Sequence, residues 1–109
     1  MTGTAGSDLT ALLEDAAGDL EAVEQAADAA TGAVEWSIGG RLFATAVGGR
    51  AEFRLDPAVA AAALRTPDTS PSGRGGDWVA FAPITLDQHA VDRATAWLAS
   101  AWRRADGES

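Results

Sequence analysis

From residue 8 to residue 30, Leu9, Leu13, Ala16, Leu20, Val23, Ala27 and Ala30 recur at spacings of three and four. That is one apolar stripe at helical period, with acids on the opposite side, and it predicts a long amphipathic helix over 8–30. Ser7 or Asp8 would cap its start, and Thr31-Gly32 would stop it. Gly18 weakens the middle by about 1 kcal/mol relative to Ala and marks where the helix would kink or break. The period then changes to two. Val34, Trp36 and Ile38 alternate with Glu35 and Ser37, which reads as a strand. Gly39-Gly40 offers the positive-φ pair of a tight hairpin, and 41–47 is a second strand, apolar on both faces and therefore central. Gly48-Gly49 repeats the turn. In 50–55, Ala51, Phe53 and Leu55 point inward, with Arg50, Glu52 and Arg54 outward. Three strands and two Gly-Gly turns predict an antiparallel meander.

Asp56-Pro57 supplies an N-cap and a proline at the first helical position, opening a short Ala-rich helix over 58–65. Residues 66–76 have turn chemistry throughout and read as a loop with at most a brief extended stretch. A strand over 78–82 ends at Pro83. Thr85 and Gln88 have capping-box spacing, starting a final helix that runs to about residue 105, with Arg103 and Arg104 in its last turn. The fold class is α+β, an antiparallel sheet with helices in the order α-β(3)-α-β(1-2)-α. Phe43, Phe53, Leu55, Trp78, Leu98 and Leu20 are the expected core. Residues 1–7 and 106–109 are expected to fray.

At 109 residues the chain has room for one domain. No window reaches the roughly 18 consecutive apolar residues of a membrane span, and the first residues have no secretory signature, so a cytoplasmic location and no membrane partner are expected. Cysteine is absent, which excludes disulfides, thiol nucleophiles and cysteine-ligated metals. No cofactor and no metal site are expected.

Charge changes the picture most. Eight basic residues against sixteen acidic ones leave −8. All of the basic residues are Arg. Asp8, Glu14, Asp15, Asp19, Glu21, Glu24, Asp28 and Glu35 come before the first of them, so the net charge resides in the first third. Such a field repels nucleic acid and makes specific DNA binding an unfavourable reading. Further on, Arg41, Arg50, Arg54, Arg65 and Arg74 face only Glu52, Asp56 and Asp68 between residues 41 and 74.

The segment Gly39-Gly40-Arg41-Leu42-Phe43-Ala44 resembles the glycine-basic-apolar-Phe-Ala strand of the MmcQ/YjbR family. Asp56-Pro57, Pro71, Trp78-Val79 and Leu98-Ala99-Ser100-Ala101-Trp102 follow in that family's order, over roughly 33–105. The resemblance implies an α-β(3)-α-β(2)-α fold like that of secretion chaperones, and a DNA-binding label. Where the family pattern implies a basic or His-bearing stretch before the Trp, this chain has Arg74 alone.

Candidate chemistry is sparse. His89 is the only histidine, without a second His or Cys for a triad or metal, and reads as a structural side chain. The glycines of the loop precede a strand, whereas phosphate loops follow a strand and open a helix. Four tryptophans mostly serve to fill an Ala-rich core, with Trp78 or Trp102 the candidates for a groove or dimer contact. A long polar loop in a small domain is a common place for binding. Arg65 and Arg74, the hydroxyls of Thr69 and Ser72, and Trp78 are therefore the expected ligand-binding set. The expected partner is an unidentified protein or a small acidic ligand, bound by a monomer or homodimer. Weak nucleic-acid binding and an enzyme using carboxylates or His89 are the alternatives.

Overall fold

A computed structural model describes residues 5–108. It is an α+β fold with a six-stranded antiparallel sheet and three helices. The elements are α1 (Ala5–Ala17), β1 (Glu24–Ala27), β2 (Val34–Ile38), β3 (Arg41–Val47), β4 (Arg50–Arg54), α2 (Pro57–Ala63), β5 (Thr69–Pro71), β6 (Trp78–Phe81) and α3 (Gln88–Gly107). In space the strands run β1-β2-β3-β4-β6-β5.

The meander stands as expected. Ile38 pairs with Arg41 across Gly39-Gly40, whose φ angles of 57° and 80° are left-handed, and Val47 pairs with Arg50 across Gly48-Gly49. Residues without Cβ populate these angles at no steric cost. β3 lies inside the sheet, and its register with β2 slips between Trp36 and Ser37, so Phe43 is the extra residue of a bulge. That bulge explains why Phe43 and Ala44 are both buried although they are consecutive.

The expected helix over 8–30 is the main correction. α1 ends at Ala17, where Gly18 N–H bonds the carbonyls of Glu14 and Asp15 at 3.2 Å and Asp19 and Leu20 continue with tight three-residue turns. Ala22 then takes a left-handed φ of 63°, which no helix tolerates, and the chain returns as β1. Residues 28–33 turn it into β2: Asp28 N–H bonds Ala33 O at 2.8 Å, and its carboxylate accepts Ala30 N–H at 2.8 Å. Gly32 therefore belongs to a hairpin and stops no helix. Four strands, not three, precede α2.

Smaller differences follow local chemistry. Ser7 and Asp8 lie inside α1, not at its cap; residues 1–4 and 109 lie outside the described residues, so fraying there goes undescribed. Asp56 occupies the N-cap position of α2 without a side-chain cap bond. α3 starts at Gln88, not Thr85, because Asp87 is its cap and accepts Ala90 N–H at 2.9 Å. It continues past residue 105 to Gly107, so 106 and 107 are helical. The 66–76 loop contains β5, which pairs with β6 at the sheet edge.

All three helices lie on one face. Leu9 and Leu13 of α1 and Ala94, Trp97, Leu98 and Ala101 of α3 join Trp36, Phe53, Val79 and Phe81 of the sheet in one apolar cluster, with Ala60 and Ala63 of α2 at its margin. The Trp97 ring meets Phe81 edge-on at 5.1 Å and lies 6.2 Å from Phe53. Small Ala44, Ala46 and Ala51 let the helices approach the sheet. Of the expected core, Phe43, Phe53, Leu55 and Leu98 are buried, whereas Leu20 and Trp78 are only half-buried. Leu20 sits beyond the end of α1, and Trp78 pairs with Arg54 on the opposite face. No described helix is long and apolar enough to cross a membrane.

Candidate functional site

Strand alternation puts Glu35, Thr45, Val47, Arg50, Glu52, Trp78, Ala80 and Ser70 on the face away from the helices. Its centre is polar and organised. After Pro71 the chain still follows β6, Ser72 N–H bonding Trp78 O at 3.2 Å. Ser72 Oγ then reaches across β6 to donate to Glu52 Oε2 on β4. Arg74 Nε donates to Glu52 Oε1 at 3.1 Å, Thr45 Oγ1 donates to the same oxygen at 3.3 Å, and Arg50 stands 3.5 Å away. Glu52 thus becomes the hub under which Thr45 is buried to 3% exposure. Burial pushes its carboxyl up, but the Ser72 hydroxyl, Arg74 and Arg50 outweigh this and hold it below its ordinary 4.5.

Glu52 also positions a cation. With Nε bound, the Arg74 guanidinium lies 5.4 Å over the Trp78 ring. Its terminal nitrogens make no hydrogen bond among the described residues, and Arg74 is exposed. The result is an exposed guanidinium over an indole, with its Nε bonded to a carboxylate.

Of the expected set, the structure brings Arg74, Trp78 and Ser72 together. It separates the other two. Thr69 Oγ1 donates to the carbonyls of Ala63 at 3.0 Å and Thr66 at 2.8 Å, stapling α2 to β5 on the helix side. Arg65 is exposed just past α2 and makes no ion pair among the described residues. Glu52 was the residue that sequence reasoning passed over as one outward acid among many. Its signal lay in β4 itself, where it is the single acid between Arg50 and Arg54.

A concavity of about 550 Å³ is lined by Thr66, Pro67, Asp68, Asp87, His89, Asp92 and Arg93. Asp87 is spent on its cap, Asp92 accepts from Gln88 at 2.8 Å, and Arg93 donates to Pro67 O at 3.1 Å while lying 5.2 Å over Phe81. His89 is exposed at its rim. Among the described residues no His, Cys, Asp or Glu grouping has metal-site geometry.

Trp36 and Trp102 have their indole N–H groups engaged, with Gln25 Oε1 at 2.8 Å and Glu21 O at 2.9 Å. Trp97 is buried. Trp78 is half-buried on the helix-free face of the sheet, with the Arg74 guanidinium over its ring. Comparison with known protein families and with curated proteins gives no match.

Proposed function

We propose that the chain is a small, cofactor-free cytoplasmic binding module of MmcQ/YjbR-like type, which takes an acidic peptide segment or small acidic ligand on the helix-free face of its sheet. The element order supports the family resemblance, with β1 as an added edge strand. One observation carries the binding reading: Arg74 lies over Trp78 with Nε fixed by Glu52 and its terminal fork unengaged among the described residues. A preformed fork binds a carboxylate bidentately and loses little rotamer freedom in doing so. Trp78 supplies apolar area, and Arg50 adds a second positive charge.

Calorimetric titration with a Glu-rich peptide tests the reading. Arg74→Ala and Trp78→Ala should each weaken binding about thirtyfold, the scale of an interface hot spot. Unchanged affinity in both variants would refute it. The DNA-binding implication of the family resemblance finds little support in a chain of net charge −8.

A further inference from the structure

The two edges of the sheet are closed differently. β5 ends one side. Asp68 O accepts from Ala82 N–H at 2.9 Å and Ser72 N–H donates to Trp78 O at 3.2 Å, so residues 68, 70 and 72 turn their backbone groups toward β6. Thr69 and Pro71 turn theirs outward, and Pro71 has no N–H to offer. β1 ends the other side. Asp28 N–H bonds Ala33 O at 2.8 Å, which sets the phase of the β1–β2 hairpin. Glu24 and Ala26 therefore bond toward β2, opposite Ser37 and Glu35, while Gln25 and Ala27 face away. The N–H and C=O groups of Gln25 and Ala27 have no partner among the described residues. All four residues of β1 are exposed, and none is proline or lysine, the residues that commonly blunt a strand edge.

Charge selects what such an edge accepts. Alternation puts Glu24 and Ala26 on the helix-free face beside Ser37 and Glu35. Gln25 and Ala27 lie on the helix side, where Gln25 bonds both Trp36 and Glu14. Glu14, Glu24 and Glu35 are exposed. Ala26 is too short to screen Glu35 from a long cationic side chain arriving across β1, two strand spacings or about 10 Å away. A second copy is disfavoured. Antiparallel pairing of two β1 strands that joins Gln25 to Ala27 sets Glu24 opposite Asp28 of the other copy, and each chain carries −8. We propose that β1 is the docking edge for an extended Lys/Arg-bearing segment of a partner protein, which adds as a further strand with alternate cations toward Glu24 and Glu35. Main-chain bonds to Gln25 and Ala27 supply affinity, and the glutamates supply the preference for basic side chains. This edge is on the opposite side of the sheet from Arg74 and Trp78 and does not depend on the reading of that face.

The test is an NMR titration of the chain with an end-blocked peptide alternating Lys and Thr. The Gln25 and Ala27 amide signals should shift and gain protection from hydrogen exchange. Ala27→Pro copies the device of β5: it removes an outward N–H, spares the β1–β2 ladder, and should weaken binding at least about tenfold. Glu24→Gln/Glu35→Gln alters only exposed side chains and should weaken binding about tenfold while reducing its salt dependence. The same peptide N-methylated at each Thr, the positions that meet Gln25 and Ala27, keeps its charge and should not bind. That arm tests the backbone bonds without altering the chain. Full affinity in either variant or for the methylated peptide would overturn the proposal. So would shifts that leave Gln25 and Ala27 unmoved. Sedimentation of the chain alone should show a monomer, and a dimer that Ala27→Pro dissociates would assign the edge to a second copy and overturn the proposal too.

Discussion

Phe53 sits on β4 with no exposed surface, its ring between the sheet and Trp97 of α3. Truncation to Ala removes a ring that the surrounding alanines cannot replace, and should cost about 3–5 kcal/mol, much of what a domain of this size has to lose. Chemical denaturation measures it, and a loss below about 1 kcal/mol would contradict this packing. Ala22 is the opposite case, a residue with Cβ held at φ 63°. Ala22→Gly should raise stability by up to about 1 kcal/mol, since left-handed backbone penalises Cβ more than glycine loses in unfolded freedom. A lower midpoint in urea would contradict it. At this scale Phe53, Leu55 and Leu98 were legible in the sequence, because strand alternation and a helical stripe put them inside, whereas Leu20 was assigned to a helix that ends before it. Trp78 was not legible. Its size argued for the core, while its place opposite Arg54 depended on β6 pairing with β4, a contact between residues far apart in sequence.

Elements that announce themselves by turn chemistry were read correctly, and those that do not were missed. The Gly39-Gly40 and Gly48-Gly49 pairs located β2, β3 and β4 almost to the residue. β1 has no such signature. Its four residues Glu24, Gln25, Ala26 and Ala27 are all exposed, so no alternation of burial marks them, and their alanines are equally at home in a helical stripe. The loop over β6 is organised by Glu52, and its contribution to stability depends on pH. Glu52, Asp77 and Glu108 all titrate below their ordinary values. The Ser72 hydroxyl with Arg74 and Arg50 overcomes burial for Glu52, the Arg104 hydrogen bond leads in doing so for Asp77, and the Arg54 hydrogen bond leads for Glu108. A depressed folded value means the stabilisation is present above the unfolded value and lost as pH falls through the folded one. Thermal stability should therefore be flat from neutral pH down to about 4.5 and decline below it. Glu52→Gln should cost roughly 1–2 kcal/mol at neutral pH and flatten part of the acid decline. A variant with the wild-type acid profile would show that Glu52 does not organise the loop.

Across the whole molecule, sheet order separates charge. Glu24 and Glu35 lie on β1 and β2 at one side, where Glu14 of α1 accepts from Gln25 of β1, while Arg50, Arg54 and Arg74 lie with β4 and the loop before β6 at the other. The acidic end repels polyanions, so duplex DNA at physiological salt should bind no more tightly than the ~10⁻⁴–10⁻⁶ M of non-specific contacts. Fluorescence anisotropy showing a nanomolar, sequence-dependent isotherm would contradict that. The arginine end attracts single carboxylates, and there Glu52 aligns Arg74 on Trp78. Composition revealed the charge imbalance, but only tertiary pairing of β4 with β6 brings Glu52, Arg74 and Trp78 together. The four indole N–H signals report on this most directly, since those of Trp36 and Trp102 are bonded internally and Trp97 is buried. On addition of a Glu-rich peptide, the Trp78 indole and the Arg74 Nε–H should move together and saturate with one affinity, while the other three indoles stay in place. Binding that leaves Trp78 and Arg74 unmoved and shifts Trp102 or His89 instead would place the binding face elsewhere.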